Sequence, residues 1–144
     1  MSLSSASIGN AARQQRHQAI ALNANPTNNY VEKLTETLAL LQMAVTEFSP
    51  VTQASSLGAE DVVLTHLINQ NALNIPVFVL DTGALHHETL ALLERTQAHA
   101  TAVVNVYRPA QEKVLSFVKL HGQDAMYQSP ELRKACCQVR KLEP

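Results

Sequence analysis

Cys136 and Cys137 are adjacent, are the only cysteines of the chain, and are followed closely by Arg140 and Lys141. Neighbouring cysteines make a poor disulfide, because the small ring strains both the S–S bond and the peptide. Two thiols beside two cations suit a metal or iron–sulfur site better, where thiolates are the ligands and nearby positive charge offsets theirs. Two thiolates supply half of a four-cysteine cluster, so the other half is expected from outside this chain.

Two further polar clusters have the composition of a binding site. Ser55, Ser56, Gly58, Glu60 and Asp61 follow a short β-compatible stretch and open a helical pattern. Hydroxyls, a glycine and free helix N-terminal amides together form an anion cradle, and the glycine lets backbone approach an oxyanion closely. The same residues also read as a plain strand–helix turn, with a serine cap and acidic first-turn residues. The stretch is neither a Walker loop nor a Rossmann glycine triplet. Asp81, Thr82 and Gly83 form the other cluster, at the end of the apolar run Ile-Pro-Val-Phe-Val-Leu. By itself Asp81 there is an ordinary turn-former.

The elements around these clusters must position them. Val31, Leu34, Leu38, Leu41, Val45 and Phe48 recur at helical spacing, and Pro50 ends that pattern. Strands are predicted at 52–55, 75–80 and 102–106, the second buried on both faces. Val63, Leu64, Leu67, Ile68 and Ala72 predict one helical face between the first two strands. Residues 85–97 read as the next helix. Another starts after Pro109 and stops at Gly122, with His121 packing or capping at its end, and a short helix is predicted over 131–141. Strands alternating with helices imply right-handed βαβ units, hence an α/β fold with a parallel sheet and flanking helices. Such sheets bind ligands beyond the carboxyl ends of their strands, where both clusters fall. Residues 1–27, poor in large apolar side chains, are expected to be a flexible arm, and 28–144 the domain proper.

Composition narrows the classes. A chain of 144 residues, 46% hydrophobic, can build one ordinary core. A net charge of −1 gives no support for nucleic-acid or membrane-surface attraction. No apolar run has the length of a bilayer span, and the N-terminus lacks the pattern of a signal peptide. A reducing, cytoplasmic setting is the expectation.

With the three clusters in register, the chain resembles the sulfonucleotide reductases over about residues 30–144. The 55–61 stretch resembles that family's modified pyrophosphate-binding loop. Leu-Asp-Thr-Gly-Ala-Leu-His-His-Glu-Thr, from Leu80, resembles its Leu-Asp-Thr-Gly-x-Leu-x-Pro-Glu-Thr segment. Cys136-Cys137-x-x-Arg140-Lys141-x-x-Pro144 resembles the iron–sulfur branch, the assimilatory adenylyl-sulfate reductases. Two positions depart from the pattern: His87 stands where proline is usual, and Ala84 where arginine or tyrosine is. The adjacent His86 and His87 point in different directions early in a helix and read as solvated side chains rather than metal ligands.

The resemblance implies a fold like that of the adenine nucleotide alpha hydrolases (PP-loop-like), incomplete at its C-terminus, and a role in sulfate assimilation. It implies reduction of adenylyl sulfate to sulfite and AMP, with thioredoxin or a similar dithiol as donor. Ser55, Ser56, Gly58, Asp81, Thr82 and Gly83 are then substrate-binding residues, joined by Lys141 near the sulfate and by Arg140; Arg133 and Lys134 add positive potential. Cys136 and Cys137 become ligands of a [4Fe–4S] cluster completed by a distant Cys-x-x-Cys. The family's nucleophile, in a C-terminal Glu-Cys-Gly segment, has no match here, so no catalytic residue is assigned, and the chain is expected to be an N-terminal part, inactive alone. Alternatives are the phosphoadenylyl-sulfate branch, against which the cysteine pair argues; an ATP-pyrophosphatase-type domain, whose Ser-Gly-Gly-x-Asp-Ser loop is absent; and a non-catalytic adenine-nucleotide-binding module. Homo-oligomerisation is left open.

Overall fold

The apolar runs do form a parallel sheet in the computed structural model of the protein, which describes residues 24–144. Strands β1 (Gln53–Ser55), β2 (Val77–Leu80) and β3 (Val104–Tyr107) lie in the order β1-β2-β3. Ser55 pairs with Val79, and Leu80 with Tyr107, so the three strands end together. The ladder runs one residue further, where the Asp81 N–H donates to the Tyr107 carbonyl at 2.9 Å.

The first helix, α1 (Tyr30–Glu47), carries the boundary between two units of the chain, after Ala39. Its stripe of Leu34, Leu38, Leu41 and Val45 is half-buried, while Val31 and Phe48, predicted on the same face, are exposed. The expected arm, 1–27, lies outside the described residues except for 24–27. The sheet, the later helices and every candidate site residue belong to the second unit.

Helices α2 (Ala59–Gln70) and α3 (His87–His99) are the crossovers. The core forms on one face of the sheet, where Val77 and Val79 pack with Leu57 and Leu93, flanked by Leu92, Val104 and Val106. Two expectations change here. The buried face of α2 is Thr65, Leu67 and Ile68; Val63 is 56% exposed, and Ala72 lies past the helix end with a positive φ of 48°. Thr65 is tolerated inside because its one hydroxyl proton has two acceptors in reach, Gln53 Oε1 at 2.9 Å and the Asp61 carbonyl at 2.8 Å. Strand β2 is not buried on both faces either: Val77 and Val79 are, but Phe78 and Leu80, on the opposite face, are half-exposed.

After β3, α4 (Gln111–His121) stops as expected at Gly122, whose φ of 90° only glycine adopts freely. His121 packs its ring against Phe117, centroids 5.0 Å apart. A 3₁₀ turn (Ala125–Tyr127) leads to α5 (Pro130–Cys137), begun by Pro130 in the first turn and capped by Ser129 Oγ, which accepts from the Leu132 N–H at 3.2 Å. The helix predicted over 131–141 is not one continuous α-helix. At Cys137 it gives way to a π-helical turn, Gln138–Leu142, closed by the Glu143 N–H on the Gln138 carbonyl. Such turns widen the helix and re-aim the side chains they carry; here those include Arg140 and Lys141.

Candidate functional site

The 55–61 loop is held by its own side chains. Asp61, in the first turn of α2, reaches back so that Oδ2 accepts from Ser56 N (2.6 Å) and Ser56 Oγ (2.7 Å). Those two donations hold its carboxyl below the usual carboxylate range. Ser55 Oγ accepts from the Leu57 N–H at 3.1 Å, which leaves its own proton free to donate. The serine cap is therefore not formed: α2 begins at Gly58 without a side-chain cap. Gly58 also has ordinary extended backbone, with φ −66°. The left-handed residue of this loop is Leu57, with φ 63°, whose side chain is drawn into the core.

The 81–83 loop folds on itself in the same way. Gly83 N donates to Asp81 Oδ1 and Ala84 N to Thr82 Oγ1, and Gly83 has a φ of 69° that favours glycine. Asp81 Oδ2 accepts from Arg108 Nε at 2.9 Å. Arg108 was not singled out from sequence. Its one signal is position, directly after the carboxyl end of β3, where sites on parallel sheets collect.

The cysteine segment reaches this loop from the far end of the chain. Arg140 Nη1 donates to the Thr82 carbonyl at 2.6 Å, across 58 residues of sequence. A cavity of about 440 Å³ is lined by Ser55, Ser56, Glu60, Asp61, Leu80, Thr82, Leu85 and Lys141, with Ala54 and Phe78. Both loops thus open on one space at the carboxyl ends of the strands, as their positions predict. Its floor is the half-exposed apolar face of β2. Its charged groups are Lys141 against Glu60 and Asp61, so a bound anion meets one cation and the hydroxyls of Ser55 and Thr82, while Gly58 lines neither this cavity nor its neighbour.

Not every candidate residue enters that cavity. Asp81, Gly83 and Arg140 line a neighbouring one of about 390 Å³, together with Arg108 and Gln123, and Thr82 lines both. Cys136 is buried and Cys137 half-buried, both as free thiols, and neither lines these two cavities. Among the described residues no three His, Cys, Asp or Glu side chains are gathered to hold a metal. As donors, two thiols are half of what a four-thiolate cluster needs. His87 lies on the surface beside Glu88, 90% exposed.

Residues 50–144 match the phosphoadenosine phosphosulfate reductase domain, more than half of the chain. The chain belongs to the phosphoadenosine phosphosulfate reductase family. Among relatives of this reductase domain, adenosine 5′-phosphosulfate reductase of Allochromatium vinosum is 37% identical over 131 residues, which is 91% of this chain and 49% of that protein. The Burkholderia cepacia protein of the same name is 42% identical over 106 residues, 74% of this chain and 42% of that protein. The chain therefore spans about half the length of these relatives. The fold is that of the phosphoadenylyl-sulfate reductase from Candida auris, solved as a phosphate complex, with a TM-score of 0.60 at 20% identity over 83% of this chain and 61% of that one. No described helix is long and apolar enough to cross a membrane.

Proposed function

We propose that this chain forms the nucleotide-binding part of an adenylyl-sulfate reductase. The reaction takes adenylyl sulfate and a dithiol to sulfite, AMP and a disulfide, with thioredoxin or a similar protein supplying the two electrons. The observation that carries this reading is the shared cavity: Lys141 lies with Ser55, Ser56, Leu80 and Thr82 around one space, although the sequence separates them widely. The apolar shelf of Ala54, Phe78, Leu80 and Leu85 suits a purine face. Lys141, Ser55 and the N-terminal amides of α2 suit the phosphosulfate.

Cys136 and Cys137 would hold two of the four ligand positions of a [4Fe–4S] cluster, with Arg140 and Lys141 in the next turn. Such a cluster, when bound, supplies local charge and rigidity beside the substrate. With both cysteines so assigned, the thiolate that attacks sulfur lies outside this chain. The chain alone then binds nucleotide without turnover. A reducing, cytoplasmic setting belongs to this reading, because ligand thiolates and a dithiol donor both need reduced thiols.

The second reading is the phosphoadenylyl-sulfate branch. Its substrate adds a 3′-phosphate, and the cavity has one cation beside two carboxylates, which favours the less charged ligand. Calorimetry with AMP, adenylyl sulfate and phosphoadenylyl sulfate tests the proposal. Tighter binding of adenylyl sulfate than of the 3′-phosphorylated form supports it. The reverse order moves the chain to the other branch, and no binding of any of the three removes the nucleotide-site reading.

A further inference from the structure

We propose that Arg140 is a positioning residue that makes the 81–83 loop and the cysteine-bearing end of α5 move as one unit. The functional consequence rests on the nucleotide reading above; the mechanical tie does not.

Three observations carry it. Arg140 Nη1 donates to the Thr82 carbonyl at 2.6 Å, a short charge-assisted bond from a half-buried guanidinium to a buried residue. The other hydrogen bonds of the 81–83 loop are to itself, to β3 or to Arg108, so Arg140 is its link to the cysteine segment. And neighbouring residues of the turn after Cys137 fall on opposite sides of the loop: Lys141 lines the cavity with Ser55 and Ser56, Arg140 the one with Asp81 and Gly83. Arg140 and Lys141 straddle Thr82, the residue common to both cavities. A nucleotide that shifts the loop therefore pulls on a carbonyl bonded to the turn that directly follows Cys137.

Gly83 fits this role. A Cβ there would lie 3.6 Å from Arg140 Nη1, ordinary contact, so the guanidinium rests over the glycine without pressing on it. A separate tether holds the same turn elsewhere: Lys113 Nζ donates to Glu143 Oε2 at 2.6 Å, linking it to α4. The two tethers make the tie testable, because one reaches the loop and the other does not.

The test is amide hydrogen exchange on the 144-residue chain, followed in peptides covering 80–85, 136–142 and, as a reference, α2 and α3. Arg140→Gln is expected to speed exchange about tenfold in both 80–85 and 136–142 while α2 and α3 keep their protection. Glu143→Gln is expected to loosen 136–142 alone. Arg140→Lys, which keeps the charge but loses the planar fork, is expected to restore part of the protection in 80–85. An Arg140→Gln chain in which 80–85 exchanges as in wild type overturns the proposal. So does a Glu143→Gln chain that loosens 80–85 equally, since the effect would then be general fraying of the C-terminal turn. If Arg140→Gln loosens the whole chain, the Arg140→Lys result decides: protection of 80–85 no better than in Arg140→Gln counts against the tie.

Adding AMP separates the two readings. In wild type, AMP is expected to protect 80–85 and 136–142 together; in Arg140→Gln, 80–85 only. Failure of AMP to protect any peptide removes the nucleotide reading, while the ligand-free comparison of variants still decides the tie.

Discussion

Asp61 Oδ2 accepts two hydrogen bonds from one residue, Ser56, from its N–H at 2.6 Å and its hydroxyl at 2.7 Å. This closes the loop between β1 and α2 and commits the Ser56 proton to Asp61. Of the two serines, the hydroxyl donor left free at the cavity is thus Ser55, which the sequence left indistinguishable from its neighbour.

The pairing predicts an acid-sensitive loop. The Asp61 carboxyl is held below its ordinary 3.8, chiefly by the Ser56 hydroxyl and then by the Ser56 N–H. A carboxyl depressed in the folded state stabilises fully above its unfolded value, and that contribution is lost as pH falls through the folded value. Loop 55–61 should therefore keep its order from neutral pH down to about 4 and loosen below that. Asp61→Asn should cost about 1 kcal/mol at pH 7 and remove the Asp61 part of the acid dependence. Urea melts of both proteins between pH 3 and 7 check this; parallel pH profiles would count against it.

The two loop glycines should behave differently. Gly83→Ala places a Cβ on left-handed backbone and should destabilise by about 1 kcal/mol, with weaker AMP binding. Gly58 has φ −66°, and the atoms nearest a Cβ there belong to the Glu60 carboxylate, 3.1 Å away at the end of a flexible side chain. Gly58→Ala should change stability by no more than about 0.5 kcal/mol. Thermal melts and AMP titrations of the pair give the answer.

Lys141→Ala should weaken adenylyl sulfate more than AMP. Lys141 is exposed at the cavity, so its bond to a sulfate lies at the low end of charge-assisted contacts, about 1.5 kcal/mol or roughly tenfold in affinity. AMP lacks the sulfate and should lose less. Paired dissociation constants at fixed ionic strength measure this, and equal losses for both ligands would assign Lys141 to general stability.

Leu93→Ala should remove about 2–4 kcal/mol, since Leu93 is buried at 4% exposure against Val77 and Val79 with little room to collapse. If the core only holds the site up, AMP affinity measured well below the melting temperature should stay within about twofold, a difference of roughly 0.4 kcal/mol. A larger loss would place α3 in the site itself.

The sequence by itself determined the parallel sheet, the order of its elements and the end of the sheet where polar residues collect. Apolar runs, glycine stops and helical spacing are local signals, and the Ile75 to Leu80 run and the Gly122 stop are local solutions to backbone and burial constraints. It also marked Cys136, Cys137, Arg140 and Lys141 as one chemical group. What only the tertiary structure decided is which partner each polar atom takes. Thr65 is buried with two acceptors for its hydroxyl, one of them, Gln53 Oε1, on a neighbouring strand. Phe78 stays half-exposed because that face of β2 floors a cavity. Gly58 is ordinary and Leu57 left-handed because Leu57 must reach the core. Arg140 and Lys141 part company because Arg140 finds the Thr82 carbonyl, 58 residues away in sequence, while Lys141 turns into the cavity on the other side of that loop. Each depends on atoms distant in sequence or on a single residue of helical phase, and neither spacing nor composition encodes those.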